Sequence, residues 1–450
     1  MEASFLIVLV VLLLVVLLRH QLFLALRIPT PAGAILLTST SYIVGATVVQ
    51  LRELSDMAIL ICTVSIGLFA LYLVAHFSIS RALRLQLLPQ NLVSSASRKS
   101  ALPAGLAWTL FALSLVSAVI IVFVTGADRL LSALYQFIVL GDVDSSVLEL
   151  RLGLATGEEK WVAPGYTKQV RDIMLPLGTF LVLFTLPRKR MAFIVTALLI
   201  IPTVALLMIS TGERAPVIFF LVGGAYSAMR CAEWGFQSRR AVTALLIAMA
   251  LIVLSTFYAL TTSFTSREYG DTSTAIILLD RVVTRMPEEN VIGAPVWSSG
   301  APFPGAGWLL EIASVLPGTQ ATLSNLIHEH IGGGDRGNSA LGMWVDVYYN
   351  FGWLLGVPVA LLLGVVSALF NHWVNMLRSE SRTAEICGLW LSVCMLFVFS
   401  PFGFLLYGPF VLSAFLLFVS FLLPRVGAGR ISANARLSKG SASGTAALAG

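Results

Sequence analysis

Two arginines four residues apart, Arg281 and Arg285, stand in the stretch DTSTAIILLDRVVTRMPEEN at 271–290. A Thr or Ser ahead of AIILLDRVVTRM can cap a helix with an apolar face, and on it both guanidiniums project from one side. Two planar forks on one face suit a diphosphate, because arginine keeps its charge and binds phosphate oxygens bidentately. The alternative is a solvated face on which Asp280, Glu288 and Glu289 neutralise the pair. Arg214, in LLMISTGERAPVIFF at 206–220, poses a sharper choice. It is either an anion-binding fork at the end of two spanning helices or half of a Glu213–Arg214 pair snorkelling at an interface. Arg151, in LELRLGLATGEEKW, lies in a loop rich in both signs.

A proton acceptor is offered by LLEIASVLPGTQATLSNLIHEHIGGGDRGNS at 309–339, which carries His328, Glu329 and His330, then three glycines, Asp335 and Arg336. An imidazole or carboxylate beside a flexible glycine run can serve as a general base. His328 and His330 are two apart and face different ways on a helix, whereas a zinc site favours i, i+4 histidines. The Asp142–Asp144 pair in GDVD is a short pattern in an acidic loop. Cys62, Cys231, Cys387 and Cys394 lack metal-ligand spacing. Phosphate-cradling loops and dinucleotide fingerprints are absent from the sequence, so neither a metal nor a cofactor is expected. The substrate must bring its own activation.

Such groups need elements to hold them. Of 450 residues 57% are hydrophobic and 12% charged, half the charge of an average soluble domain. Mean hydropathy is +0.89. This is the composition of an all-α, polytopic membrane protein. The net charge of +6 is not gathered on a soluble face, which argues against nucleic acid. Apolar runs long enough to span occur at about 4–18, 33–50, 57–78, 104–125, 173–187, 191–210, 215–229, 241–260, 352–371, 386–400 and 402–424. That gives eleven spans, within a range of ten to twelve, in a single domain over 1–424. The small, basic stretch 425–450 reads as a disordered cytoplasmic tail.

The segments between alternate spans hold most of the Lys and Arg but only three acids, Glu233, Glu380 and Glu385. By the positive-inside rule they are cytoplasmic, leaving the N-terminus outside and the C-terminus inside. MEAS before the first run, with no positive charge, and Arg19, His20 and Arg27 after it favour an uncleaved first helix. The long segments 126–172 and 261–351, with amphipathic helices, then lie outside.

The stretch GNSALGMWVDVYYNFGWLLGVPVALLLG at 337–364 resembles the C-terminal signature of bacterial O-antigen and exopolysaccharide repeat-unit polymerases. Its aromatic-Asn-Phe-Gly turn is Tyr349, Asn350, Phe351 and Gly352. STGERAPVIFF and LLEIASVLPG fit two further family segments. The resemblance implies a metal-independent membrane glycosyltransferase. It would join undecaprenyl-diphosphate-linked oligosaccharides at the periplasmic face of the inner membrane, alongside a flippase and a chain-length regulator. The family's outer-loop arginines correspond to Arg151, Arg214, Arg281 and Arg285. Arg336, Asn338, Tyr349 and Asn350 join them as substrate-binding positions, with His330, Glu329 or His328 as base. An O-antigen ligase shares this plan. A lipid-linked oligosaccharide transporter is a third reading, against which stand nearly charge-free spans and the absence of internal repeats.

Overall fold

A computed structural model describes residues 2–88, 102–125, 169–186, 190–209, 215–233, 283–298, 305–313, 323–330, 340–398 and 400–421, apart from 402 and 407, with isolated positions at 240, 243, 244 and 247. Most of the eighth expected span, the loop at 126–168, the first half of the 271–290 stretch and the tail lie outside the described residues. Within them every regular element is helical: α1 (Glu2–Arg27), α2 (Pro31–Glu53), α3 (Asp56–Ala82), α4 (Ala104–Thr125), a π turn (Val170–Met174), α5 (Leu175–Phe184), α6 (Arg190–Ile209) and α7 (Ala215–Glu233). After these come α8 (Arg285–Ile292), α9 (Ala294–Ser298), α10 (Ala306–Ala313), α11 (Leu323–His330), α12 (Met343–Glu380), α13 (Arg382–Met395), α14 (Gly403–Leu406) and α15 (Pro409–Phe421). Six of the described helices are long and apolar enough to cross a membrane. The protein is a membrane-embedded helical bundle.

Local chemistry sets the helix ends. Thr30 accepts the Gly33 amide at 3.1 Å, with Pro31 in the first turn of α2. Ser55 caps α3 through the Ala58 amide and Ser381 caps α13 through the Ala384 amide. Helices also run past the apolar windows that announce them. α1 continues through Arg19 to Arg27, since basic side chains extend a helix and reach for the interface.

The helices pack around two apolar centres. One gathers α1, α2 and α3 with α8, α11 and the first half of α12. The other gathers α4 to α7 with α13 and α15. α3 and α12 form the most extensive pairing. Their contact is polar at one level, where Ser367 bonds both Tyr72 and His76. Gly364 lies so close to α3 that a Cβ would stand 2.6 Å from the Tyr72 carbonyl oxygen.

α12 is two helices joined at Gly352, whose φ of 60° and ψ of −163° suit only a residue without Cβ. Val347 reaches within 3.7 Å of a Cβ placed on Gly356. A straight helix would separate residues nine apart by roughly 13 Å, so the chain doubles back at Gly352. Residues 340–351 therefore enter the bundle. Trp344 donates to Ser39 at 3.0 Å in the middle of α2 and packs at a tilt against the Phe69 and Tyr72 rings in the middle of α3. The sequence reading places 261–351 outside the spans; in the structure its last residues, 340–351, pack against the middle of α2 and α3. A buried apolar helix can sit at span depth when protein, not lipid, surrounds its backbone.

The ends of the helices sort to two ends of the bundle. At one, the Arg378 guanidinium bonds Glu385 at 3.0 and 3.1 Å and the Pro29 carbonyl at 2.6 Å. Arg230 bonds the same carboxylate at 2.9 Å and also Glu233. Burial alone would raise the Glu385 carboxyl, but the flanking Arg378 and Arg230 charges hold it below its ordinary value. This end joins the segments that the sequence assigns to the cytoplasm. α8 and α10 lie toward the other end.

Candidate functional site

α8 lies along the C-terminal half of α2. Gly45 makes this possible, since a Cβ there would stand 1.7 Å from the Val283 carbonyl oxygen. Glu288 pairs with Arg52 at the end of α2. Arg285 donates to Glu289 at 2.8 Å across one helical turn, and its side chain is 54% exposed. Of the two readings of this face, the carboxylate-paired arrangement holds for Arg285, and its partner Arg281 lies outside the described residues.

Asn290 turns inward from α8 and is fully buried. Its Oδ1 accepts from the Tyr42 hydroxyl at 2.8 Å and the Gly342 amide at 2.9 Å, and its Nδ2 donates to the Ala340 carbonyl at 2.9 Å. The Tyr349 hydroxyl donates to the Asn290 carbonyl at 2.9 Å. One side chain thus ties α8 to α2 and to the start of the re-entrant helix. Tyr349, expected at a substrate-binding position, is buried in this anchor.

A second cluster joins α10 to α12. Trp308 donates its indole N–H to Asp346 at 2.8 Å, and Asn350 donates to the other carboxylate oxygen at 3.1 Å. The Gly305 amide bonds the Asn350 carbonyl, and Trp308 meets Phe351 edge to face at 4.7 Å. Gly307 has no Cβ because Asn350 Oδ1 would lie 2.7 Å from it. Asn350 is buried, so it organises this corner and offers no open surface to a substrate.

α11 buries Leu323 and Ile327, the latter against Gly293, and leaves Glu329 and His330 exposed, with His328 half-buried. None of these three lines the cavity described next. Arg151, Arg214, Arg281, Arg336 and Asn338 lie outside the described residues. Among the described residues no three His, Cys, Asp or Glu side chains converge as a metal ligand set.

A cavity of about 680 Å³ runs between α2, α7 and the end of α13. Ala25, Leu26 and Tyr226 line it toward the Arg378 end, and Leu37, Val222 and Leu396 line its middle. At the other end stand Tyr42, Arg285 and Glu289. An apolar trough with a cation and carboxylate at one end suits an amphiphile with an anionic or hydrogen-bonding head.

Sequence reasoning missed Asp346, Asn290 and Tyr42. Asp346 carried a signal: a carboxylate inside an apolar run, one helical turn before Asn350. Asn290 carried none, because its partners are 52 and 248 residues away. Comparison with protein-family models, with curated proteins and with solved structures returns no match.

Proposed function

We propose that this protein is a polysaccharide polymerase that joins lipid-diphosphate-linked oligosaccharide repeat units at the outer face of a bacterial inner membrane. The observation that supports it is the cavity, whose apolar walls suit a polyprenyl chain and whose end carries Arg285 beside Glu289 and Tyr42. The family resemblance at 337–364 supplies the carrier, undecaprenyl diphosphate. The orientation rests on the positive-inside rule, with the Arg378 end cytoplasmic and the N-terminus periplasmic.

The growing glycan on its lipid diphosphate is the donor. A hydroxyl oxygen of the incoming repeat unit forms a bond to the donor's anomeric carbon. The bond from that carbon to the diphosphate oxygen breaks, and its electron pair stays on phosphate. The hydroxyl proton passes to His330, Glu329 or His328, on the helix that presents both kinds of base. Charge builds on the departing diphosphate, where fixed guanidiniums at Arg285 and the other outer arginines stabilise it. Anchoring both lipids at one depth supplies proximity.

Gene deletion followed by gel analysis of surface polysaccharide tests the reading. Surface glycans cut to a single repeat unit are expected. Complete loss of attached polymer would assign the chain to ligation, and an unchanged ladder would end both readings.

A further inference from the structure

The charged end of the cavity is carried by a short helix, α8, that belongs to no span and must be held in place. Its exposed ion pairs cannot do this, since such pairs contribute little. Asn290 can. Both lone pairs of its amide oxygen and one amide proton are engaged, in a site with no exposure. Two of its partners, Tyr42 and Ala340, are themselves cavity walls, as are Arg285 and Glu289 on its own helix. Gly342 completes the joint. A Cβ there would stand 2.3 Å from the Tyr42 ring, so the ring lies directly on the chain that Asn290 binds.

We propose that Asn290 is the positioning residue for the charged end of the cavity. It fixes Arg285 and Glu289 relative to the Tyr42 wall, so docking of α8 and recognition of an anionic lipid head are one equilibrium. This rests on the lipid-diphosphate reading above. Asn290 touches neither lipid nor reacting atoms. It acts through the arginine one turn and a residue before it.

The test uses the full chain in nanodiscs, with spin labels at Leu54→Cys and Ile292→Cys. Both positions are exposed, and the four native cysteines are buried. Geranylgeranyl diphosphate and the uncharged geranylgeraniol are the two lipid probes. Asn290→Ala is expected to broaden the label distance and weaken the diphosphate by roughly 10-fold, the scale of a lost buried hydrogen-bond set. Geranylgeraniol, held by the apolar walls, should keep its affinity. Tyr42→Phe removes one hydroxyl and should give the same pattern at roughly 3-fold. Arg285→Ala should weaken the diphosphate without moving the labels. An unchanged label distance in Asn290→Ala overturns the proposal. So does equal loss of both lipids, which marks a merely structural residue, or an unchanged diphosphate affinity beside a broadened distance. If the wild-type chain binds neither lipid, the lipid reading itself falls and with it the positioning role. A label distance that still broadens would then leave Asn290 as a structural anchor.

Discussion

The two ends of the bundle use the same residue types in opposite ways. At the Arg378 end, Arg378 and Glu385 are buried, Arg230 nearly so, and the guanidiniums and carboxylate complete one another's hydrogen bonds. At the α8 end the described ion pairs, Arg285–Glu289 and Arg52–Glu288, have exposed arginines, and the buried anchor is the neutral Asn290. Charges that satisfy each other out of water hold helices together and leave nothing for a ligand. A neutral anchor leaves the nearby guanidinium at the surface of a cavity. The contrast is between ion pairs buried in the architecture and an ion pair at the wall of a cavity.

The sharpest way to break this contrast is Glu385→Ala. It leaves the buried Arg378 guanidinium without a carboxylate and should cost about 3–5 kcal/mol, read as a large fall in thermal stability of the detergent-purified protein. An unaffected melting temperature would show that the cluster is not architectural. Gly45→Ala comes next. A methyl group there meets the Val283 carbonyl oxygen, so α8 must lift. A loss of about 1–3 kcal/mol is expected, together with loss of polymer while the protein still inserts. Arg285→Ala should move stability least, by about 0–1 kcal/mol, yet lower polymer yield by roughly 100-fold if its fork meets the departing diphosphate. Chain-length ladders normalised to protein level measure this, and a wild-type ladder would return Arg285 to the solvated face.

Acid sharpens the comparison further. The Glu385 carboxyl is held below its ordinary value when folded. Its contribution is therefore present above the unfolded carboxylate pKa and is lost as pH falls through the depressed folded value. Melting curves of wild type and Glu385→Gln should converge on acidification through that window. A gap independent of pH would contradict the assignment.

Much of the fold could be read from periodicity and hydropathy, because spanning helices answer to local composition. The aromatic-Asn-Phe-Gly stretch marked a turn, and the reversal is at its Gly352. Its depth was not legible. Trp344, Val345 and Val347 sit beside Asp346 and Asn350, and whether such a mixture lies outside or folds inward depends on Ser39, Phe69 and Tyr72 far away. The same holds at the candidate site. Arg285 and its partner Glu289 follow from one helical turn. Asn290 reads as one more polar residue after two acids until Tyr42 is brought beside it.

The Arg378–Pro29 contact has a consequence for how the chain is made. Its two residues are separated by 349 positions. At a synthesis rate of about 5–20 residues per second, roughly 20–70 s pass between them. For most of that interval α1, α2 and α3 are complete while α12, the helix α3 packs against most extensively, has not been made. The ribosome thus delivers the first three helices as a waiting half. The buried polar groups of α3, His76 among them, must find temporary partners before Ser367 arrives. A chaperone or insertase that shelters such groups would act on this protein during its synthesis, and truncation before residue 343 should leave the early helices as its client.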